Sequence, residues 1–154
     1  MNKSAAAEIR DATVLDAPAL LRMMRSLAEH APAIPFDEGE VRTALEKFLG
    51  DAELGQAWLV WLDAKPVGYV ILTFGYSFEF RGRDAFVDEL YIEPEFRRIG
   101  LGRRAMEFME KKARELGVNA VHLEVDRGND GAAELYRRAG YADQGRHLMT
   151  KWLR

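Results

Sequence analysis

"PEFRRIGLGRR", Pro94 to Arg104, decides how this chain is read. It holds a proline, four arginines and two glycines, and a helical pattern follows it with Leu101, Ala105, Phe108, Met109, Ala113 and Leu116 on one face. An isolated helix favours acidic residues in its first turn, where unpaired N–H groups carry partial positive charge. Here that position is crowded with cations, and no acidic residue lies between Glu95 and Glu107. Gly100 and Gly102 let a ligand approach the backbone, and Arg97, Arg98, Arg103 and Arg104 offer planar forks of donors. The stretch therefore predicts an anion site fitted to a pyrophosphate. It matches neither the P-loop pattern nor the G-x-G-x-x-G dinucleotide pattern.

Outward from this stretch the chain alternates in character. Upstream, "RDAFVDELYIEP" reads as a strand closed by Pro94, and "QAWLVWLDAKPVGYVILTFGYSFEF" as two strands joined by a tight turn at Asp63–Lys65. Tyr76, Phe78 and Phe80 would share one strand face, while Trp58 and Trp61 flank both faces as packing residues. Before these, "VLDAPALLRMMRSLAEHAP" predicts a helix with Asp16 as N-cap, ended by Pro32 and Pro35, and "DEGEVRTALEKFLGD" a second with Val41, Leu45, Phe48 and Leu49 inward. Downstream follow a strand at "NAVHLEV", a short helix at "NDGAAELYRRAG" ending at Gly140, and a final alternating strand at "RHLMTKWL". The expectation is one α/β domain over residues 1–154, a mixed sheet with helices on both faces.

Composition narrows the chemistry. The chain has 154 residues and a net charge of −3, which argues against a nucleic-acid surface, and no apolar run long enough for a membrane helix. "MNKSAAAEIRDATV" lacks the apolar core of a signal peptide, so the expected compartment is the cytoplasm. With no cysteine there is neither a disulfide nor a thiolate nucleophile, and His30, His122 and His147 lack metal-ligand spacing, so no metal is expected. His122 reads as a structural histidine.

Two segments carry a resemblance. "LYIEPEFRRIGLGRRAMEFMEKKA" resembles motif A of the GNAT superfamily of N-acetyltransferases, [QR]-x-x-G-x-[GA], here Arg97-Arg98-Ile99-Gly100-Leu101-Gly102. "NDGAAELYRRAGY" resembles the family's motif B, and the element order matches along the whole chain. "YSFEFRGRDAFVDELYIEPEFRRIGLG" further looks like the diamine and thialysine acetyltransferase branch, with its acidic pair before the motif A strand. The resemblance implies a single GNAT-like domain with a mostly antiparallel sheet, and acetyl-coenzyme A (acetyl-CoA) as cosubstrate. Backbone groups of Leu90, Tyr91 and Ile92 would pair with the pantetheine arm, and the loop Arg97, Arg98, Ile99, Gly100, Leu101, Gly102 and Arg103 would hold the pyrophosphate. Asn129, Ala132 and Tyr136 would lie along the arm towards the sulfur. Related enzymes are often homodimers, and an exposed edge at the final strand invites pairing.

Acetyl transfer to an amine needs loss of a proton from the ammonium, stabilisation of the carbonyl oxygen, and a proton for the departing sulfur. Without cysteine, direct attack is simpler than an acyl-enzyme route. Tyr136, with a phenol pKa of about 10, is the natural acid. Asp88 and Glu89 are candidate bases, directly or through water. Adjacent on a strand, they would point to opposite faces, and one could instead pair with Arg81 or Arg83. The acids of "PFDEGE" (Pro35–Glu40) either attract a cationic acceptor or form a solvated helix start. The leading reading is transfer to a primary amine of a small, cationic molecule. The alternatives are a peptide or protein N-acetyltransferase and a non-catalytic acyl-CoA-binding domain.

Overall fold

The computed structural model describes residues 7–30 and 35–153; Pro32 and the first six residues lie outside them. It divides into two compact units, Met1–Glu124 and Val125–Arg154.

The first unit is built on a five-stranded sheet in chain order: β1 (Ala7–Asp11), β2 (Gly55–Leu62), β3 (Lys65–Ser77), β4 (Gly82–Ile92) and β5 (Ala120–His122). All neighbours are antiparallel except β4 and β5. Three helices join them: α1 (Ala17–Ala28), α2 (Glu38–Leu49) and α3 (Leu101–Glu115). Alternation along the strands makes two apolar faces. On one, Ala57, Leu59, Tyr69, Ile71 and Tyr91 pack with Leu20, Leu21 and Met23 of α1 and Leu45 of α2. On the other, fully buried Trp58 meets Phe108 of α3 edge-on at 6.1 Å. Helices thus cover both faces, as the periodicity predicts. α3 buries Leu101, Ala105, Met106, Met109 and Ala113, while Leu116, expected inward, is at the surface.

Local chemistry sets the ends. Asp37 caps α2 by accepting from the Glu40 N–H at 2.9 Å. Asp16 precedes α1 but does not cap it with its carboxylate. That group reaches back to the Thr13 N–H (2.8 Å) and Oγ1 (3.1 Å), closing a single 3-10 turn, Val14–Asp16. β2 and β3 join through Asp63 and Ala64, both at positive φ (49° and 62°), as the tightest hairpin turns require. Phe78 and Phe80 lie in the β3–β4 turn and not on a strand face with Tyr76, and Tyr76 and Phe78 are well exposed.

The second unit holds α4 (Asp130–Arg138), whose N-cap Asn129 accepts from the Ala132 N–H at 3.2 Å. Beyond it the expected strand at 146–153 is not formed: these residues have no regular structure, and Leu148, Met149 and Leu153 are exposed. Alternation of apolar and polar side chains does not by itself make a strand.

Gly68 fixes how closely β3 and β4 approach. A Cβ added there would fall 2.5 Å from both the Tyr91 carbonyl oxygen and Ile92 Cδ1. Backbone cannot step aside as a flexible side chain can, so Gly68→Ala should lower unfolding stability by about 1–3 kcal/mol in urea titrations. A loss below about 0.5 kcal/mol would mean that β4 can shift freely.

Candidate active site

β4 contains an irregularity that the sequence conceals. Ile71 of β3 faces Glu89, yet the next residue, Leu72, faces Val87, so Asp88 is an extra residue in a β-bulge. A regular strand would put Glu89 on the α3 face with Val87. The bulge resets the alternation, so Glu89 shares the α1/α2 face with its partner Ile71 and with Tyr91. The expectation of strict opposition between Asp88 and Glu89 is therefore replaced by a bulged pair. Neither acid pairs with Arg81 or Arg83; Arg83 is bound to Glu53 at 3.2 Å and lies over the Phe74 ring.

Glu89 Oε2 accepts from the Tyr69 Oη at 2.8 Å. Burial raises the Glu89 carboxyl from its ordinary 4.5 to about 7; the Tyr69 hydrogen bond opposes this and the Asp88 charge adds to it. Asp88 is exposed, though partial desolvation also raises its carboxyl. A carboxylate that changes protonation near neutrality can take and return a proton at working pH. Tyr69 escaped the sequence reading because it sits inside the apolar run "PVGYVILTF", where a tyrosine looks like any other core residue.

On its other edge β4 meets β5 only through Asp84, Ala85 and Phe86. The Glu93 N–H donates to Val67 O of β3 at 2.9 Å. Strand alternation then turns the N–H and C=O groups of Leu90 and Ile92 to the side away from β3. This is the edge an extended ligand arm can join, and Leu90 and Ile92 are the residues expected there. The side chains of Ile92 and Leu101 are buried, so these residues offer a ligand their backbone; Tyr91, expected beside them, turns its N–H and C=O to β3 and its buried side chain to the core.

The loop after β4 leads into α3 through Gly100, at φ 86°. No side chain caps this helix, no acid lies in its first turn, and a Cβ on Gly100 would meet nothing within 4 Å. The N–H groups of Leu101, Gly102 and Arg103 thus open onto free space, as an anion site requires. The four arginines are not all committed to it. Arg97 donates from Nε to Ile92 O at 2.7 Å and stacks over Tyr91; Arg103 pairs with Glu107 at 2.8 Å; Arg104 reaches Ala7 O of β1 at 2.9 Å. Arg98 (φ 64°) and Ile99 remain exposed. At the loop's base, Lys65 lies 5.3 Å from the Phe96 ring centroid.

His122 contacts Asp84 Oδ2 at 3.2 Å between the rings of Phe80 and Phe86, the satisfied structural position expected. The acids of Pro35–Glu40 are similarly engaged: Asp37 caps α2, and Glu38 pairs with Arg25 and Arg42. Among the described residues no group of three or more His, Asp or Glu could hold a metal ion, and no helix is long and apolar enough to cross a membrane. Asn129, Ala132 and Tyr136 belong to the second unit. Tyr136 is half-buried on α4, edge-on to Tyr141 at 6.2 Å, and burial raises its phenol pKa.

Against known proteins, residues 21–141 match the model of the acetyltransferase (GNAT) family. The chain belongs to that family. As an N-acetyltransferase it resembles the bovine (Bos taurus) thialysine N-epsilon-acetyltransferase, 26% identical over 146 residues that cover 88% of this chain and 84% of the relative. Among solved structures, an integron cassette protein from the mobile metagenome of Cole Harbour Salt Marsh superposes with a TM-score of 0.85 at 32% identity, covering 95% of this chain and 90% of that one. A predicted acetyltransferase from Clostridium acetobutylicum, solved with acetyl-CoA, shares the fold at a TM-score of 0.80 and 16% identity, covering 95% and 96%.

The raised carboxyl of this acetyltransferase makes its stability depend on pH. Glu89 titrates near 4.5 when unfolded and about 7 when folded, so between those values the folded state binds the extra proton. The stabilisation is fully present below pH 4.5 and is lost as pH rises through 7, a change of about 3 kcal/mol. Urea unfolding of the wild type and Glu89→Gln at several pH values should show this fall in the wild type only. Parallel pH dependences would place the Glu89 carboxyl in an ordinary solvated setting.

Proposed function

We propose that this enzyme transfers an acetyl group from acetyl-CoA to a primary amine of a small, cationic acceptor by direct attack, with Glu89 as base. The observation that carries this is the half-buried Glu89 carboxyl, turned onto the α1/α2 face by the Asp88 bulge and held by Tyr69 at 2.8 Å, on a strand whose outer edge is open beyond Phe86; burial raises that carboxyl to about 7. A relative named for thialysine acetylation supports a small amine as acceptor.

Acetyl-CoA supplies the acyl group as a thioester. Its pyrophosphate would be held by the N–H groups of Leu101, Gly102 and Arg103 with the Arg98 guanidinium, and its arm by the outward backbone of Leu90 and Ile92. Asn129 uses its oxygen to cap α4, which leaves the amide nitrogen as its donor to the arm. Glu89 takes a proton from the acceptor ammonium, which frees the nitrogen lone pair to attack the thioester carbonyl; the C–N bond forms, the C–S bond breaks, and the nitrogen's second proton replaces the one given to the leaving sulfur. Asp88 beside it attracts the cation and sustains the proton affinity of Glu89. Tyr136, whose phenol stays protonated at neutral pH, is assigned the proton for the leaving sulfur on the strength of the motif B resemblance, with Ala132 leaving room beside it.

The test is thiol release from acetyl-CoA with a panel of cationic and neutral amines. Small diamines or basic amino-acid analogues should be the better acceptors, with a Michaelis constant that rises with salt through screening. Glu89→Gln should lower turnover about 10²–10⁴-fold. Gly100→Glu should abolish acetyl-CoA binding by calorimetry, since an anion would occupy the phosphate position. Unchanged turnover in the first variant removes the base, and unchanged affinity in the second removes the loop.

We further propose that both units form one catalytic domain, in the cytoplasm, and that the chain is a homodimer. The family match runs across Glu124, and exposed Leu148, Met149 and Leu153 offer apolar surface to a second copy. One cooperative thermal transition and a dimer mass by light scattering at micromolar protein are expected; two transitions, or a monomer mass, would set the respective proposal aside.

A further inference from the structure

We propose that Tyr69 is a positioning residue for the acceptor base: its buried hydroxyl holds one oxygen of the Glu89 carboxylate and leaves the other for the acceptor. The inference rests on Glu89 being that base. Tyr69 is 0% exposed and sits mid-strand in the cluster of Leu20, Leu21, Met23, Leu59 and Ile71. A phenylalanine would fill this apolar site, whereas a hydroxyl buried without a partner is costly. The Tyr69 hydroxyl finds its partner on the next strand, at Glu89 Oε2, 2.8 Å away. The contact exists only because the Asp88 bulge turns Glu89 onto the Tyr69 face. The Tyr69 ring is itself fixed, between the strand core and the Tyr91 ring at 5.9 Å.

Two effects follow. The carboxylate loses its freedom to rotate, so one oxygen keeps a constant direction, which a proton acceptor needs when the nitrogen must arrive in line. The hydrogen bond also stabilises the ionised form, restraining the rise that burial and Asp88 impose on Glu89. Among the described residues the titratable groups that act on the Glu89 carboxyl are Tyr69 on β3 and Asp88 on β4. Of the α1 cations on this face, Arg22 is bound to Glu93 and Arg25 to Glu38.

The experiment is Tyr69→Phe, read in two ways. The Glu89 carboxyl is followed by carbon NMR against pH without any substrate, assigned by its loss in Glu89→Gln, and should titrate about one pH unit higher than in the wild type. In the amine assay the acid limb of kcat/KM should move up with it, and kcat on the plateau should fall about 10-fold with the KM for acetyl-CoA unchanged. A merely structural tyrosine would alter stability and leave both the titration and the limb in place, and that result overturns the inference. 3-Fluorotyrosine at position 69, a stronger donor of nearly the same shape, should move the titration downwards, and serves if Tyr69→Phe does not fold. A wild type inactive towards every amine would overturn the transferase reading instead, and the carboxyl titration would still decide whether Tyr69 controls Glu89.

Discussion

β4 is paired from Gly82 to Ile92 on one side, with only the Asp88 bulge between, and over three residues on the other, and the first unit is arranged around that asymmetry. The β3 side is held by a ladder interrupted by the Asp88 bulge and by the close approach at Gly68, so the strand is fixed where its outer edge is unpaired. An unpaired edge on a flexible strand would invite disorder or unwanted pairing. On a rigid strand it is a template with its donors and acceptors already directed. Arg97 reinforces the end of this template by donating to Ile92 O, and Arg22 binds Glu93 just beyond it, tying α1 to the strand terminus.

The same strand carries the electrostatic centre. A single inserted residue, Asp88, turns Glu89 into the apolar face built by α1, α2 and the sheet. There the carboxylate loses water, which raises its proton affinity, and regains one strong hydrogen bond from Tyr69, which limits the rise. Burial gives the group its basicity at neutral pH, and the phenol's hydrogen bond opposes that rise. Moving Glu89 one position along the strand would put it on the α3 face, away from this phenol.

The elements with strong periodicity were legible from the sequence. The apolar stripe of α3, the β2–β3 hairpin and the glycine-bearing turn into α3 are each encoded by several residues repeating one signal, and these elements stand where that signal puts them. The Asp88 bulge was not legible, because an inserted strand residue has no signature of its own and only the partner strand reveals it. The individual arginines were not legible either: a long side chain chooses among acceptors brought near by folding, and Arg104 finds Ala7 O across the sheet. The alternation of 146–153 promised a strand, but that segment has no regular structure.

The turn at Asp63 and Ala64 places two side-chain-bearing residues in the left-handed region, at about 1–2 kcal/mol each. That strain keeps the hairpin as short as a hairpin can be, and so fixes where β3 begins. Lys65, the first residue of β3, lies over the Phe96 ring at the root of the anion loop. A longer, relaxed turn would leave the sheet unchanged and let this lysine wander. The loop after β4 would then lose a contact at its root that the strained turn sets once, during folding.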